Sequence, residues 1–497
     1  MSEPGVSEPG AGEPAEPQQK RPTNRLAPVI RGFLALGFAT IVGQVIGFVV
    51  LVLVARRAGP ENMGAYSFAL SFSAYFEIPI DFGITMYAIR ELARRPDRVR
   101  EIVGEVAIVQ FVLLVICLTV VLALGPALMP DGDAVELLPI VVAAWIPTAL
   151  SLDWAMRGLQ NMRAVALWRL AGQVVYGALA PLLIGAGLAG VKTYAWLNVV
   201  GAAVSAIGIS VLLVRMYGMP RFSLNLRTLA RRYAHGAVVG VSLAIVMIYY
   251  QTDILLLGYL RDEQDTGLFG VAYRVPANIV LIGTVWLQAA YPYAAALIAS
   301  EPLAYLRQLG RTLSVAAALA LPIAAGGAVL ATELMVGLFG PEYRDAALPF
   351  ALLTASAAIA LVQVQLSNAV LALGQDRRYF TAVSTAAVVN IAIAVVLIPP
   401  LGPSGAAIAT IAAELTLIAT MLVRVRKQLG TPPLELRRVA ASMAATLAMV
   451  AVLLPLRSQV SVWICLALGG AVYLAGALTL GVIGRDELQR LVRRGGR

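Results

Sequence analysis

Between Phe33 and Ile483, apolar runs of about twenty residues follow one another with little between them. A helix rising about 1.5 Å per residue needs roughly that length to cross ~30 Å of hydrocarbon. Lipid also forces every backbone polar group to be satisfied within its own segment, which helices do unaided. The runs divide into about fourteen spans: 33–55, 65–89, 103–125, 135–156, 165–187, 194–214, 236–260, 268–291, 313–334, 348–373, 380–398, 404–423, 439–456 and 462–483. The expected fold class is therefore an all-α polytopic membrane protein of about 14 transmembrane helices. Of all residues 59% are hydrophobic and 13% charged, against about 25% charged in soluble domains. A water-soluble enzyme, a DNA-binding protein and a secreted scaffold are excluded.

The net charge of +10 would in a soluble chain point to nucleic acid, but here its distribution explains it. With the N-terminus placed inside, 31 of the 38 Lys and Arg fall on the tails, inner loops and inner helix flanks. Positive charge collects in cytoplasmic loops, and one miscounted helix would have spoiled the alternation. A cell (inner, cytoplasmic) membrane protein with both termini cytoplasmic is expected, with membrane lipids as partners and no nucleic acid. Residues 1–28, rich in Glu-Pro and without apolar content, read as a disordered cytoplasmic tail. Cys117 and Cys465 lie within apolar runs, and the single histidine, His235, leaves no His-based metal cluster. The GxGxxG spelled by Gly185 to Gly190 sits at the end of a membrane helix, outside the strand-to-helix context it needs.

An internal repeat is legible. Gly64-Ala-Tyr follows the first span, and Gly267-Leu-Phe follows the seventh. Leu137-Leu-Pro139 precedes the fourth as Ala347-Leu-Pro349 precedes the tenth, and the turns after them read Gln160-Asn-Met-Arg163 and Gln375-Asp-Arg-Arg378. Copies six helices apart face the same way, which implies two pseudo-symmetric six-helix bundles around a central cavity. The expected division is 29–220 for the N-terminal bundle, 221–235 for an amphipathic linker and 236–428 for the C-terminal bundle. Helices 13 and 14 (429–484) and a basic cytoplasmic tail (485–497) complete the chain.

An ionisable group inside a bilayer costs several kcal/mol, so each needs a partner or a purpose. Asp253 and Arg274 lie at similar expected depths, roughly 10 Å below the outer surface at about 1.5 Å per residue. They read either as a structural ion pair or as a substrate site, with Arg274 meeting an anion and Asp253 tuning it or binding a coupling cation (H⁺ or Na⁺). Glu77 and Asp81 share one helix face around Pro79; they read as a cation site, or Asp81 anchors the helix end on Arg90 or Arg94. Asp153 and Arg157, four apart in the acid-first order, read as a structural pair. Glu414 stands mid-way along the twelfth span and is expected to face the bundle interior. No catalytic residue, resident metal or cofactor is indicated, because no loop is large enough to carry an enzymatic site; the expectation is a protein that is not an enzyme.

The segment Ala55-Arg-Arg-Ala-Gly-Pro-Glu-Asn-Met-Gly-Ala-Tyr66, then Asp81-Phe-Gly, Arg90-Glu-Leu-Ala93, Asp253-Ile-Leu-Leu-Leu-Gly258, Ala272-Tyr-Arg274 and Gly340-Pro-Glu-Tyr343 occur in fitting order. With Asn390 and Glu414, they resemble the polysaccharide-biosynthesis (O-antigen flippase-like) exporters of the multidrug/oligosaccharidyl-lipid/polysaccharide (MOP) superfamily. That resemblance implies two bundles in a V around a central cavity. It implies a flippase carrying an undecaprenyl-diphosphate-linked oligosaccharide from the cytoplasmic to the outer leaflet. Its partners would be the lipid-linked glycan and polysaccharide polymerase or glycosyltransferase machinery. The alternatives are a cation-coupled multidrug antiporter of the same superfamily and a peptidoglycan lipid precursor flippase. Arg56 and Arg57, only at the outer mouth, favour the polysaccharide branch. Arg274 is read as the one arginine well within a helix.

Overall fold

The computed structural model of the protein describes residues 26–81, 83–188, 190–222, 247 and 251–482. Most of the expected linker 221–235, most of the seventh span before residue 251 and both chain ends lie outside the described residues. Among the described residues there is no strand; the chain is an all-α polytopic membrane protein. Among the described residues eleven helices are long and apolar enough to cross a membrane. One of these merges the first two expected spans, and the seventh and eighth span regions are not among the eleven.

The first long element, α1 (Leu26–Asp81), is two helices joined at a break. Gly59 takes φ 76° and ψ 169° there, a left-handed backbone that a side chain disfavours, and Pro60 opens the second arm. After α2 (Ile84–Arg94) comes α3 (Val99–Leu128). The fourth expected span is not one helix but three pieces, α4 (Asp133–Ala143), α5 (Trp145–Ala149) and α6 (Asp153–Gly158). Pro147 accounts for the first break: it supplies no N–H and its ring crowds the Ala143 carbonyl one turn back. The half closes with α7 (Met162–Gly185) and α8 (Val191–Tyr217).

The second half begins, among described residues, with helix α9 (251–260). It continues through α10 (Glu263–Ser300), α11 (Pro302–Val329), α12 (Ala331–Phe339), α13 (Ala347–Ala372), α14 (Asp376–Leu401) and α15 (Pro403–Leu429). Two further helices, α16 (Leu436–Leu456) and α17 (Val462–Thr479), pack outside the second half, α16 against α11 and α17 against α16. Polar bonds fasten them: Ser442 and Tyr473 donate to the Ala318 carbonyl at 2.7 and 2.8 Å.

One end of the molecule carries the arginine-poor turns around Gly59, Arg261 and Gly402, and the other the arginine-rich turns around Arg95, Met219 and Lys427. The two halves join at the arginine-poor end. A single apolar core there takes Met63, Phe68 and Trp145 from the first half, and Leu268, Tyr343 and Phe350 from the second. At the arginine-rich end each half keeps its own core. Leu92, Ile102 and Trp154 belong to one, and Leu309, Val370 and Met421 to the other.

Side chains are too wide for the joint itself. A Cβ on Gly64 would stand 1.6 Å from the Glu263 carbonyl oxygen, and one on Gly267 would stand 1.8 Å from that of Pro60. The two glycines that mark the sequence repeat thus meet each other, backbone on backbone. Hydrogen bonds continue the seam: Ser71 donates to Gln251, Tyr75 meets Thr252 at 2.9 Å, and Tyr259 donates to the Leu128 carbonyl at 3.0 Å. Arg56 reaches across to the carbonyls of Gly337 and Leu338.

Candidate functional site

A cavity of about 700 Å³ opens between the two halves, on the first-half side of the seam. Its wall on α1 is the stripe Thr40, Gly43, Gln44, Gly47 and Leu51, whose spacing puts these residues on one helix face. From α7 come Arg169, Gln173 and Tyr176, again at helical spacing. α8 adds Tyr194 and Asn198, and α10 adds Arg274 and Asn278. Tyr66, Tyr176 and Tyr194 gather beside it, with ring centres 5.0 Å apart for Tyr66–Tyr194 and 6.2 Å for Tyr176–Tyr194.

A second cavity, about 330 Å³, adjoins the first and shares Arg169, Ala202 and Ser205 with it. Glu77, Asp81, Gln110, Asp153 and Arg157 line it. Asp153, with 17% of its side chain exposed, lies 3.2 Å from Arg157 and 2.5 Å from Arg169. Two guanidiniums thus share one carboxylate, and Arg169 is 46% exposed toward the cavities it lines. The Asp153–Arg157 pair is present, but it is half of a three-membered group. Arg274 is therefore not the one arginine set well within a helix: Arg169 lies within α7 and lines the same cavity. The signal was available: Arg169, Gln173 and Tyr176 make a polar stripe within α7.

Asp81 does not anchor on Arg90 or Arg94. Its carboxylate accepts from the Thr85 backbone N–H at 3.0 Å and from the Thr85 hydroxyl, closing the turn between α1 and α2. Such local capping is open to a short acidic side chain without an arginine. Glu77 lines the same cavity four residues earlier.

Asp253 and Arg274 do not pair either. Asp253 is buried among α9, α14 and α15, where it accepts from the Thr410 hydroxyl at 2.8 Å and has Asn390 as its other polar neighbour. No Lys or Arg among the described residues forms an ion pair with it. The small cavity it lines, about 30 Å³, also receives Glu414, Tyr273 and Ser356. Equal depth along the chain could not reveal that the two charges sit on opposite sides of the seam. Glu414 is 7% exposed and faces the interior of the second half. Among the described residues no group of three or more His, Cys, Asp or Glu is placed to hold a metal ion.

A further cavity of about 290 Å³ lies in the second half, lined by Tyr293, Tyr305, Gln308, Thr312, Gln365 and Asn368. Gln363, on the same helix as Gln365 and Asn368, donates to Ser367 at 2.6 Å within α13.

Comparison with known proteins agrees with this architecture. Residues 29–298 match the model of the polysaccharide biosynthesis protein family. A probable flippase, AglR, of Haloferax volcanii is 30% identical over 182 residues, which is 36% of this chain and 38% of that protein. The lipid II flippase MurJ, in an inward closed conformation, superposes with a TM-score of 0.72 at 14% identity, covering 89% of this chain and 98% of that one. An inward-facing multidrug resistance MATE family transporter of the MOP superfamily gives 0.59 at 16% identity, over 80% of this chain and 98% of that one. These two likenesses concern the fold. The family match extends from the first helix through Arg274 and α10, and so covers the whole arginine-lined cavity: the chain belongs to the polysaccharide biosynthesis protein family, with the fold of the MOP superfamily.

Proposed function

We propose that the protein flips an undecaprenyl-diphosphate-linked oligosaccharide from the cytoplasmic to the outer leaflet of the cell membrane by alternating access. Both termini stand on the cytoplasmic side in this reading. The observation that carries it is the presence of Arg169 and Arg274 on one cavity of about 700 Å³. A diphosphate must leave water to cross a bilayer, and guanidiniums inside a low-dielectric cavity replace its hydration with charge-assisted hydrogen bonds. The amides and hydroxyls beside them suit the polar remainder of the head group. The polyprenyl tail needs no protein site, since it can stay in lipid. The name of the Haloferax volcanii relative, a probable flippase, supports the same direction of thought. No bond is made or broken, so the protein acts as a carrier without catalysis.

Asp253, held by Thr410 with Asn390 alongside, serves in this reading as the seat of a coupling cation, H⁺ or Na⁺. A buried carboxylate supplied only with neutral donors gains most from a positive charge. Polymerase and glycosyltransferase machinery would take up the delivered glycan.

The test is a flipping assay in proteoliposomes with lipid-linked glycan extracted from cells lacking the protein. Arg169→Ala and Arg274→Ala are each expected to weaken binding about ten- to a hundredfold, the worth of one lost charge-assisted hydrogen bond. Both variants should fold normally. Wild-type flipping by the double variant would overturn the proposal.

A further inference from the structure

We propose that the cavity at Asn368 is a sugar-binding subsite, which reads the uncharged carbohydrate part of the cargo while Arg169 and Arg274 on the large cavity hold its diphosphate. This rests on the flippase reading above and adds to it a division of labour between two cavities.

The repeat places the subsite. Asp153 stands seven residues before the turn residue Gln160, and Asn368 stands seven before its counterpart Gln375. The cavity around Asp153 is lined by the second, third and fourth spans together with α7 and α8; the cavity around Asn368 is lined by α10, α11 and α13, which by the sequence repeat correspond to the first three of these. Corresponding positions thus line corresponding cavities, and the first of the two adjoins the arginine-lined one. What differs is the chemistry. Where the first half has Glu77, Asp81, Asp153 and Arg157, the second has Gln308, Thr312, Gln365 and Asn368 with two tyrosines.

Asn368 is 5% exposed, and its amide carbonyl oxygen has no hydrogen-bond partner. A buried acceptor left unpaired carries its desolvation cost uncompensated, so the position is destabilised unless a ligand or water supplies the donor. Sugar hydroxyls donate and accept together, which matches amide side chains able to do both. Tyr293, 58% exposed on the cavity wall, offers an aromatic face for the apolar side of a pyranose ring. Among the described residues no acidic or basic side chain lines this cavity, so their chemistry favours neutral polar groups over a phosphate.

The experiment measures binding to the full chain in nanodiscs with two probes. One is undecaprenyl diphosphate, and the other is the lipid-linked glycan fraction extracted from cells lacking the protein. Wild type is expected to bind the glycan-bearing lipid more tightly than the bare one. Asn368→Leu and, separately, Gln308→Leu should each erase about tenfold of that preference, while affinity for bare undecaprenyl diphosphate stays unchanged and so reports an intact fold. Arg274→Ala should weaken both probes alike. Equal wild-type affinity for the two probes, or leucine variants that keep the preference, would overturn the subsite and leave the flippase reading standing. Failure of wild type to bind either probe would overturn both.

Discussion

Asp153 in the first half and Asp253 in the second are both carboxylates inside a membrane protein, and their surroundings are opposite. Asp153 has two arginines, Arg157 and Arg169. Asp253 has a threonine hydroxyl and a neighbouring amide. The first cluster carries more positive than negative charge before any ligand arrives, and one of its guanidiniums already faces the large cavity. The second leaves a carboxylate without a counter-charge among the described residues. The Asp153 group is therefore suited to an anion beside it, and Asp253 to a cation. The two sites can differ while every span is a helix, because lipid constrains the backbone far more tightly than it constrains groups facing a cavity.

That contrast can be broken in graded steps. The largest effect is expected at the joint both halves share. In Gly64→Val, branched carbons would occupy the space of the Glu263 carbonyl, so the arginine-poor end cannot close and flipping should fall to background. A crosslink between cysteines placed on α1 and α10 near the joint should form in wild type and fail in the variant; a crosslink retained at full yield would show that the glycines are dispensable.

A smaller effect belongs to the second half alone. Asp253→Asn removes the uncompensated carboxylate, so the protein should gain about 1–3 kcal/mol in stability. Its melting temperature should stop rising when Na⁺ or acid is added, because the stabilising ligand has lost its site. An unchanged response to both would mean that the cation acts elsewhere and that the two carboxylates differ only in packing.

The smallest effect lies outside both cavities. Tyr473→Phe deletes the bond to the Ala318 carbonyl, worth roughly 0.6 kcal/mol in a membrane protein. A slight drop in melting temperature with unchanged flipping is expected. A transport defect would show that α16 and α17 take part in the cycle, and the comparison would then have to include them.

Much of this was legible before any coordinates. The apolar runs follow from hydrocarbon thickness, and the charge alternation counts helices because positive loops avoid one face. The repeat follows from turn residues recurring six helices apart; the sequence marked Gly64 and Gly267 as counterparts without revealing that they touch. What stayed hidden concerns partners across space. Asp253 and Arg274 share a depth but face opposite ways, and depth is all that position along a helix reports. Asp153 looked complete with Arg157 four residues on, yet Arg169 reaches it from the next helix. Asp81 found its donors on Thr85 instead of on the arginines beyond.

The amino-acid sequence by itself determined the class of protein, an all-α chain of membrane spans, because this follows from local periodicity and from the bilayer's demand on each segment separately. Only the tertiary structure decided which charges pair, which face a cavity and where the halves meet. Those outcomes depend on the rotation of one helix against another, set by packing many side chains at once, and no single segment encodes that rotation.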